Sequence, residues 1–268
     1  MAKIRVGELD VHVQRMAAAG PPASDPPPLV VLVHGLLIDS LASYYFSLGP
    51  FFAERGMDVL MYDLRGHGRT GRPAAGYRLE DFVSDLDGLL DALEEDRPAH
   101  VVGNSFGGAI AYGLAASRPD RVRSVIAIES EPPVKSWAEK MAEGLTGEEG
   151  GLVVREVRAW LAEDPERNAR PFQLAGRLLD GTTLGQDIPR SRVLGDTLAD
   201  IRCPVFALYG ADSKLSGQAG HLSATLPHCR TVILPDQGHS VLVERTKETA
   251  DLILDWLQDD IHTPVKAG

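Results

Sequence analysis

The passage Val101-Val102-Gly103-Asn104-Ser105-Phe106-Gly107-Gly108 restricts the fold more than any other: an apolar run turns through small residues straight into a helix-forming stretch, residues 109–116. A strand that feeds a helix through so tight a turn needs glycine, because larger side chains would fill the space the backbone requires. A serine held between such glycines projects from the strand's end.

The same rhythm recurs along the chain. Short aliphatic and β-branched runs predict strands over residues 4–7, 10–16, 29–33, 59–62, 100–103, 124–128, 205–209 and 231–234. The first two read as a hairpin, and the others alternate with helical periodicity, the pattern of βα units around a parallel sheet. Leu79, Phe82, Val83, Leu86, Leu89, Leu90 and Leu93 recur at spacings of three and four, which gives one helix an apolar face for the core. The proline-rich residues 21–28 cannot pair inside a sheet and read as a surface connection.

The alternation breaks from residue 132 to residue 202, where helical pieces are punctuated by Gly147, Gly150, Pro165, Pro171, Gly181 and Pro189. The expected organisation is therefore a core formed by residues 1–131 and 203–268 with a small helical cap inserted over 132–202. Within the cap, Leu152, Val153, Val157, Trp160 and Leu161 form one apolar helical face, suited either to lining a pocket or to packing on the sheet.

Three side chains emerge where apolar runs end. Ser105 follows the fifth strand, Asp212 follows residues 205–209 in a Gly-Ala-Asp turn, and His239 follows residues 231–234 through Pro235-Asp236-Gln237-Gly238. In parallel sheets, sites form at the carboxyl edge of the strands. Serine is a weak nucleophile until a base removes its proton, and an imidazole is a competent base when a carboxylate fixes its tautomer. Ser105, His239 and Asp212 are accordingly the expected catalytic residues. Asp63, Glu129, Glu131 and Asp236 also lie at strand ends, and Glu131 is the strongest rival for the carboxylate. The backbone N–H groups of Phe106, opening the helix, and of Leu36, in His34-Gly35-Leu36-Leu37 after the third strand, are the expected oxyanion donors. His34 itself is read as a residue that holds its loop.

Charge narrows the partners. Lys and Arg number 27 against 38 Asp and Glu, a net charge of −11, so nucleic acid and anionic membrane are not expected partners. The N-terminal residues lack the apolar stretch of a secretory signal, and a cytoplasmic location is expected. The two cysteines, Cys203 and Cys229, and the eight histidines form no metal-binding or redox motif, so no metal or cofactor is expected.

Together, His34-Gly35, Gly103-Asn104-Ser105-Phe106-Gly107-Gly108, Gly210-Ala211-Asp212 and Gly238-His239 resemble the α/β-hydrolase superfamily over nearly the whole chain. The resemblance implies a mostly parallel eight-stranded sheet flanked by helices, with a cap over the cleft and the chain order serine, acid, histidine. The segment Asp63-Leu64-Arg65-Gly66-His67-Gly68-Arg69-Thr70 looks like the family's structural loop after its fourth strand. Serine at the elbow implies acyl transfer, since the family's dehalogenases and epoxide hydrolases place aspartate there. An ester or thioester of a small acyl substrate is the expected target. The Gly-Asn-Ser elbow with Ser43-Tyr44-Tyr45 and Leu48-Gly49-Pro50-Phe51 also resembles C–C hydrolases of meta-cleavage products. Leu36-Leu37-Ile38 after His-Gly and Ser240 after the histidine depart from that group. A ligand-binding protein on the same scaffold is a further alternative.

Overall fold

The computed structural model describes residues 2–22, 24–146, 151 and 169–262. Eight strands form one sheet: β1 (Ala2–Val6), β2 (Leu9–Met16), β3 (Leu29–Val33), β4 (Asp58–Tyr62), β5 (Ala99–Asn104), β6 (Val122–Ile128), β7 (Val205–Gly210) and β8 (Cys229–Leu234). Their spatial order is β1-β2-β4-β3-β5-β6-β7-β8. From β4 onward every pairing is parallel, whereas β2 is antiparallel to both β1 and β4. This is the α/β-hydrolase sheet expected from the sequence.

We number the helices of eight residues or more: α1 (Leu79–Ala92), α2 (Phe106–Ser117), α3 (Lys135–Thr146), α4 (Ala169–Gly181), α5 (Gln218–Thr225) and α6 (Thr246–His262). The central strands are apolar at successive positions because both their faces are covered. Val31, Val33 and Val101 join the core with α1 and α2, including the predicted Leu79, Phe82, Leu86, Leu89 and Leu90. Val30, Leu32 and Val102 pack on the opposite side with Leu48 and Phe52 and with Ala250, Ile253, Trp256 and Leu257 of α6. Two core layers of this kind hold the strand ends, and hence the site, at fixed spacing.

All the described elements between β6 and β7 are helical, among them α3 and α4. The apolar face expected over Leu152–Leu161 lies outside the described residues. Among the described residues no helix is long and apolar enough to cross a membrane.

Two buried imidazoles make the stability of this core depend on pH. Burial and the neighbouring His34 lower the pKa of His67 from 6.5 to about 3, and burial with Arg123 lowers that of His100 to about 4. Above pH 6.5 both groups are neutral whether the chain is folded or not. Below it the unfolded chain takes up protons that the fold excludes, so stability falls as pH falls toward the folded-state values. Each imidazole is expected to cost on the order of 2 kcal/mol between pH 7 and pH 5. Urea unfolding at the two pH values checks this, and His100→Asn should shrink the difference.

Candidate active site

The turn after β5 is built from close backbone approaches. A methyl group at Gly103 would overlap the backbone of Gly107, and one at Gly107 would overlap the carbonyl of Val33. Any larger residue at either position would push α2 away from β3 and β5. Between them Ser105 adopts φ 52° and ψ −117°, a left-handed conformation that a residue with a side chain adopts only at a cost of order 1–3 kcal/mol. Its N–H donates to the carbonyl of Ile128 at 2.9 Å, which ties the turn to the end of β6.

The residue after Ile128 carries the carboxylate. Glu129 is fully buried with φ 49°, and its N–H donates to the Leu208 carbonyl of β7. Its Oε1 accepts the Gly210 N–H at 2.5 Å. Its Oε2 accepts the Ser213 hydroxyl at 2.6 Å and the Nδ1–H of His239 at 2.9 Å. One carboxylate therefore joins the ends of β6 and β7 to the loop after β8.

The hydrogen bond expected between Asp212 and His239 is not formed, and Glu129 occupies that place. Asp212 is exposed, and its backbone N–H, not its side chain, contacts the histidine loop by donating to the Gln237 carbonyl at 2.9 Å. Among the described residues no hydrogen bond links Asp212 to His239. The Gly210 turn lies against the Gln237–Gly238 backbone, directing Asp212 to solvent while His239 reaches over β7 to the longer side chain from β6. Glu131, the stronger sequence rival, pairs instead with Lys140 at 2.7 Å. The sequence offered Glu129 only as one of four further acids at strand ends, placed directly after the apolar run 124–128.

The imidazole of His239 is just over half exposed. Among the described residues the Ser105 hydroxyl makes no hydrogen bond, so the structure brings His239 to its carboxylate but does not close it onto Ser105.

The two expected oxyanion donors lie on either side of this turn. Phe106 opens α2, where N–H groups have no acceptor within the helix. Its ring is buried and stacks on Trp137 of α3, with centroids 6.2 Å apart. On the other side, the Gly35 N–H donates to Asp39 at 2.8 Å and the Leu37 N–H to His67 Nε2 at 2.9 Å. Among the described residues the intervening Leu36 N–H makes no hydrogen bond, so its two neighbours hold it in place while it stays available.

That loop is locked by an exchange. The Leu64 N–H, after β4, donates to His34 Nε2 at 3.0 Å, while Leu37, after β3, donates to His67 on the β4 loop. Each ring donates its Nδ1–H to a nearby carbonyl, Gly35 for His34 and Arg65 for His67. Both imidazoles must be neutral to accept at Nε2, and the low pKa of His67 fits that role. His34 thus holds its loop as the sequence suggested, and His67 ties the β4 loop to it in return, a contact the sequence did not single out. Arg65, through two 2.6 Å bonds to Asp85, fastens the β4 loop to α1.

Among the described residues no group of His, Cys, Asp and Glu is arranged to hold a metal ion. Tyr44 belongs to the core, with its hydroxyl donating to the Val33 carbonyl. Tyr45 and Phe46 line a cavity beside the loop after β3.

The profile of the alpha/beta hydrolase family matches residues 30–252. The chain is 26% identical over 257 residues to 2-(acetamidomethylene)succinate hydrolase of Mesorhizobium japonicum, covering 89% of this chain and 88% of that protein. It is 32% identical over 112 residues to the non-heme chloroperoxidase of Streptomyces lividans, covering 42% of this chain and 39% of that one. A thermophilic esterase from Thermogutta terrifontis superposes with a TM-score of 0.72 at 21% identity, covering 98% of this chain and 99% of that one, a likeness of fold.

Proposed function

The chain belongs to the alpha/beta hydrolase family, and from that premise we propose that it is a serine hydrolase cleaving an ester or thioester of a small acyl substrate. The observation that carries this reading is the strained Ser105 at the start of α2, beside a turn whose neighbouring carboxylate, Glu129, holds His239 by Nδ1.

In this reaction the Ser105 oxygen attacks the carbonyl carbon while its proton passes to His239 Nε2. The buried Glu129 carboxylate keeps the other ring nitrogen protonated and stabilises the imidazolium that forms. The oxygen of the tetrahedral intermediate takes the N–H groups of Leu36 and Phe106, which together lower the barrier by several kcal/mol. Collapse expels the alcohol or thiol, protonated by His239, and leaves an acyl group on Ser105. Water, deprotonated by the same imidazole, then attacks that acyl group and restores the serine. The exposed His239 closes onto the serine as substrate binds, as catalytic contacts that are long in free enzymes commonly do. The segment 132–202, to which α3 and α4 belong, serves as the cap over this cleft.

A fluorophosphonate probe tests the reading. Stoichiometric labelling of Ser105, lost in His239→Ala, together with turnover of p-nitrophenyl esters or acyl thioesters, is the expected result. A folded chain that neither labels nor turns over any of them is a binding protein, and one that cleaves only a vinylogous diketone is a C–C hydrolase.

A further inference from the structure

The turn after β7, where chain order leads one to expect the acid, contributes donors instead. Gly210 bonds one oxygen of the Glu129 carboxylate and Ser213 the other, and His239 Nδ1 comes to the same Oε2 that Ser213 holds. The imidazole and the serine hydroxyl thus share one acceptor atom. A glutamate turns about three side-chain bonds, and donors on both of its oxygens fix the plane of the carboxylate that the ring meets.

Ser213 is itself fixed. It is buried, its N–H donates to the Gly210 carbonyl at 3.1 Å, and its own carbonyl accepts the Ser216 N–H at 3.1 Å. The Leu215 N–H donates to its Oγ at 3.1 Å, and the hydroxyl proton goes to Glu129 at 2.6 Å. The donors therefore run one way, from Leu215 through Ser213 to the carboxylate. A donor on Oε2 does two things to His239. It fixes the lone pair that the ring meets, and it draws off part of the oxygen's charge, so the carboxylate stabilises an imidazolium less strongly.

We propose that Ser213 is a positioning residue for the reaction, setting through Glu129 Oε2 both the orientation of His239 and its readiness to accept the serine proton. The proposal rests on the hydrolase reading for its effect on turnover, whereas the link from Ser213 to His239 belongs to the fold whatever the chain acts on. The other charged groups on the elements that meet here are Glu131, paired with Lys140 of α3, Asp212 and Lys214 beside Ser213, and Asp236, Glu244 and Arg245 on the histidine's own segment. Among the described residues none of these bonds His239, and all are retained when Ser213 is changed, so a change at the ring reports the shared oxygen.

Ser213→Ala removes the shared donor and little volume. Followed by the side-chain ¹⁵N resonances of histidine, the His239 titration should move up by about half a pH unit, because the freed oxygen favours the protonated ring. In the same variant kcat for a p-nitrophenyl ester should fall about tenfold with KM within about twofold, and the acid limb of kcat/KM should move up with the titration. Ser213→Thr keeps the hydroxyl and should recover most of both effects. Ser213→Cys, a weaker donor in nearly the same space, serves as the test if the alanine variant fails to fold, with a smaller shift in the same direction. In a Glu129→Gln background no anion is shared, so adding Ser213→Ala should move the titration by less than about a third of its effect in the wild type. An unmoved or lowered His239 titration in Ser213→Ala, or an equal shift in the Glu129→Gln background, overturns the proposal. An unchanged kcat beside a moved titration overturns the role in the reaction. A wild-type chain that hydrolyses no ester counts against the hydrolase reading alone, while the titrations still judge the link.

Discussion

Ser105→Ala is expected to reduce kcat for ester hydrolysis by on the order of 10⁶-fold, with substrate affinity little changed. Nothing else at the turn can replace the hydroxyl. The flanking Gly103 and Gly107 carry no side chain, and Phe106 points its ring into the core against Trp137. Alanine inherits the φ of 52°, so the loss is chemical and the melting temperature should stay close to that of the wild type. Ser105→Gly separates the two effects. It is equally inactive, yet glycine adopts a positive φ freely, so it should be more stable than Ser105→Ala by about 1 kcal/mol. Turnover within tenfold of wild type in either variant would remove Ser105 from the mechanism.

Glu129→Gln should lower kcat by about 10³- to 10⁴-fold while leaving the chain folded. The glutamine carbonyl, in the Oε1 place, can still accept from Gly210, and the Ser213 hydroxyl can turn to accept from the amide nitrogen that replaces Oε2. The glutamine amide group, however, donates toward His239 Nδ1 and turns the imidazole to the tautomer with a proton on Nε2, which cannot take the proton of serine. Glu129→Ala should differ in kind, because it leaves the buried Gly210 N–H and Ser213 hydroxyl without an acceptor and costs roughly 1–3 kcal/mol for each. Asp212→Asn is the control and should change kcat by less than about threefold. Michaelis–Menten kinetics with denaturant melts of the three variants decide the matter. A large loss in Asp212→Asn alongside an active Glu129→Gln would return the role to Asp212.

The strands were legible because burial on both faces writes itself as continuous apolar sequence. Residues 29–33 and 205–209 could hardly be anything else, and the serine turn announced itself through glycines that backbone contact demands. Which acid serves the histidine was not legible. The choice depends on sheet order and reach: β6 and β7 both end near His239, and chain order alone favours the acid on the later strand. Glu129 reaches His239 through a left-handed backbone, which leaves no pattern in sequence, and a side chain longer than aspartate's. The mutual clasp of His34 and His67 was half visible, since the first follows a strand and the second sits in a loop whose path only the fold reveals.

Because the carboxylate bonded to His239 comes from β6, the tip of the next turn is left facing solvent. Asp212 and Lys214 point outward, although the Gly210 amide and Ser213 between and beside them grip Glu129. A fluorophore attached through Asp212→Cys would therefore sit two bonded contacts from the imidazole without touching it, which makes the tip a natural place to install an optical reporter of ligand arrival.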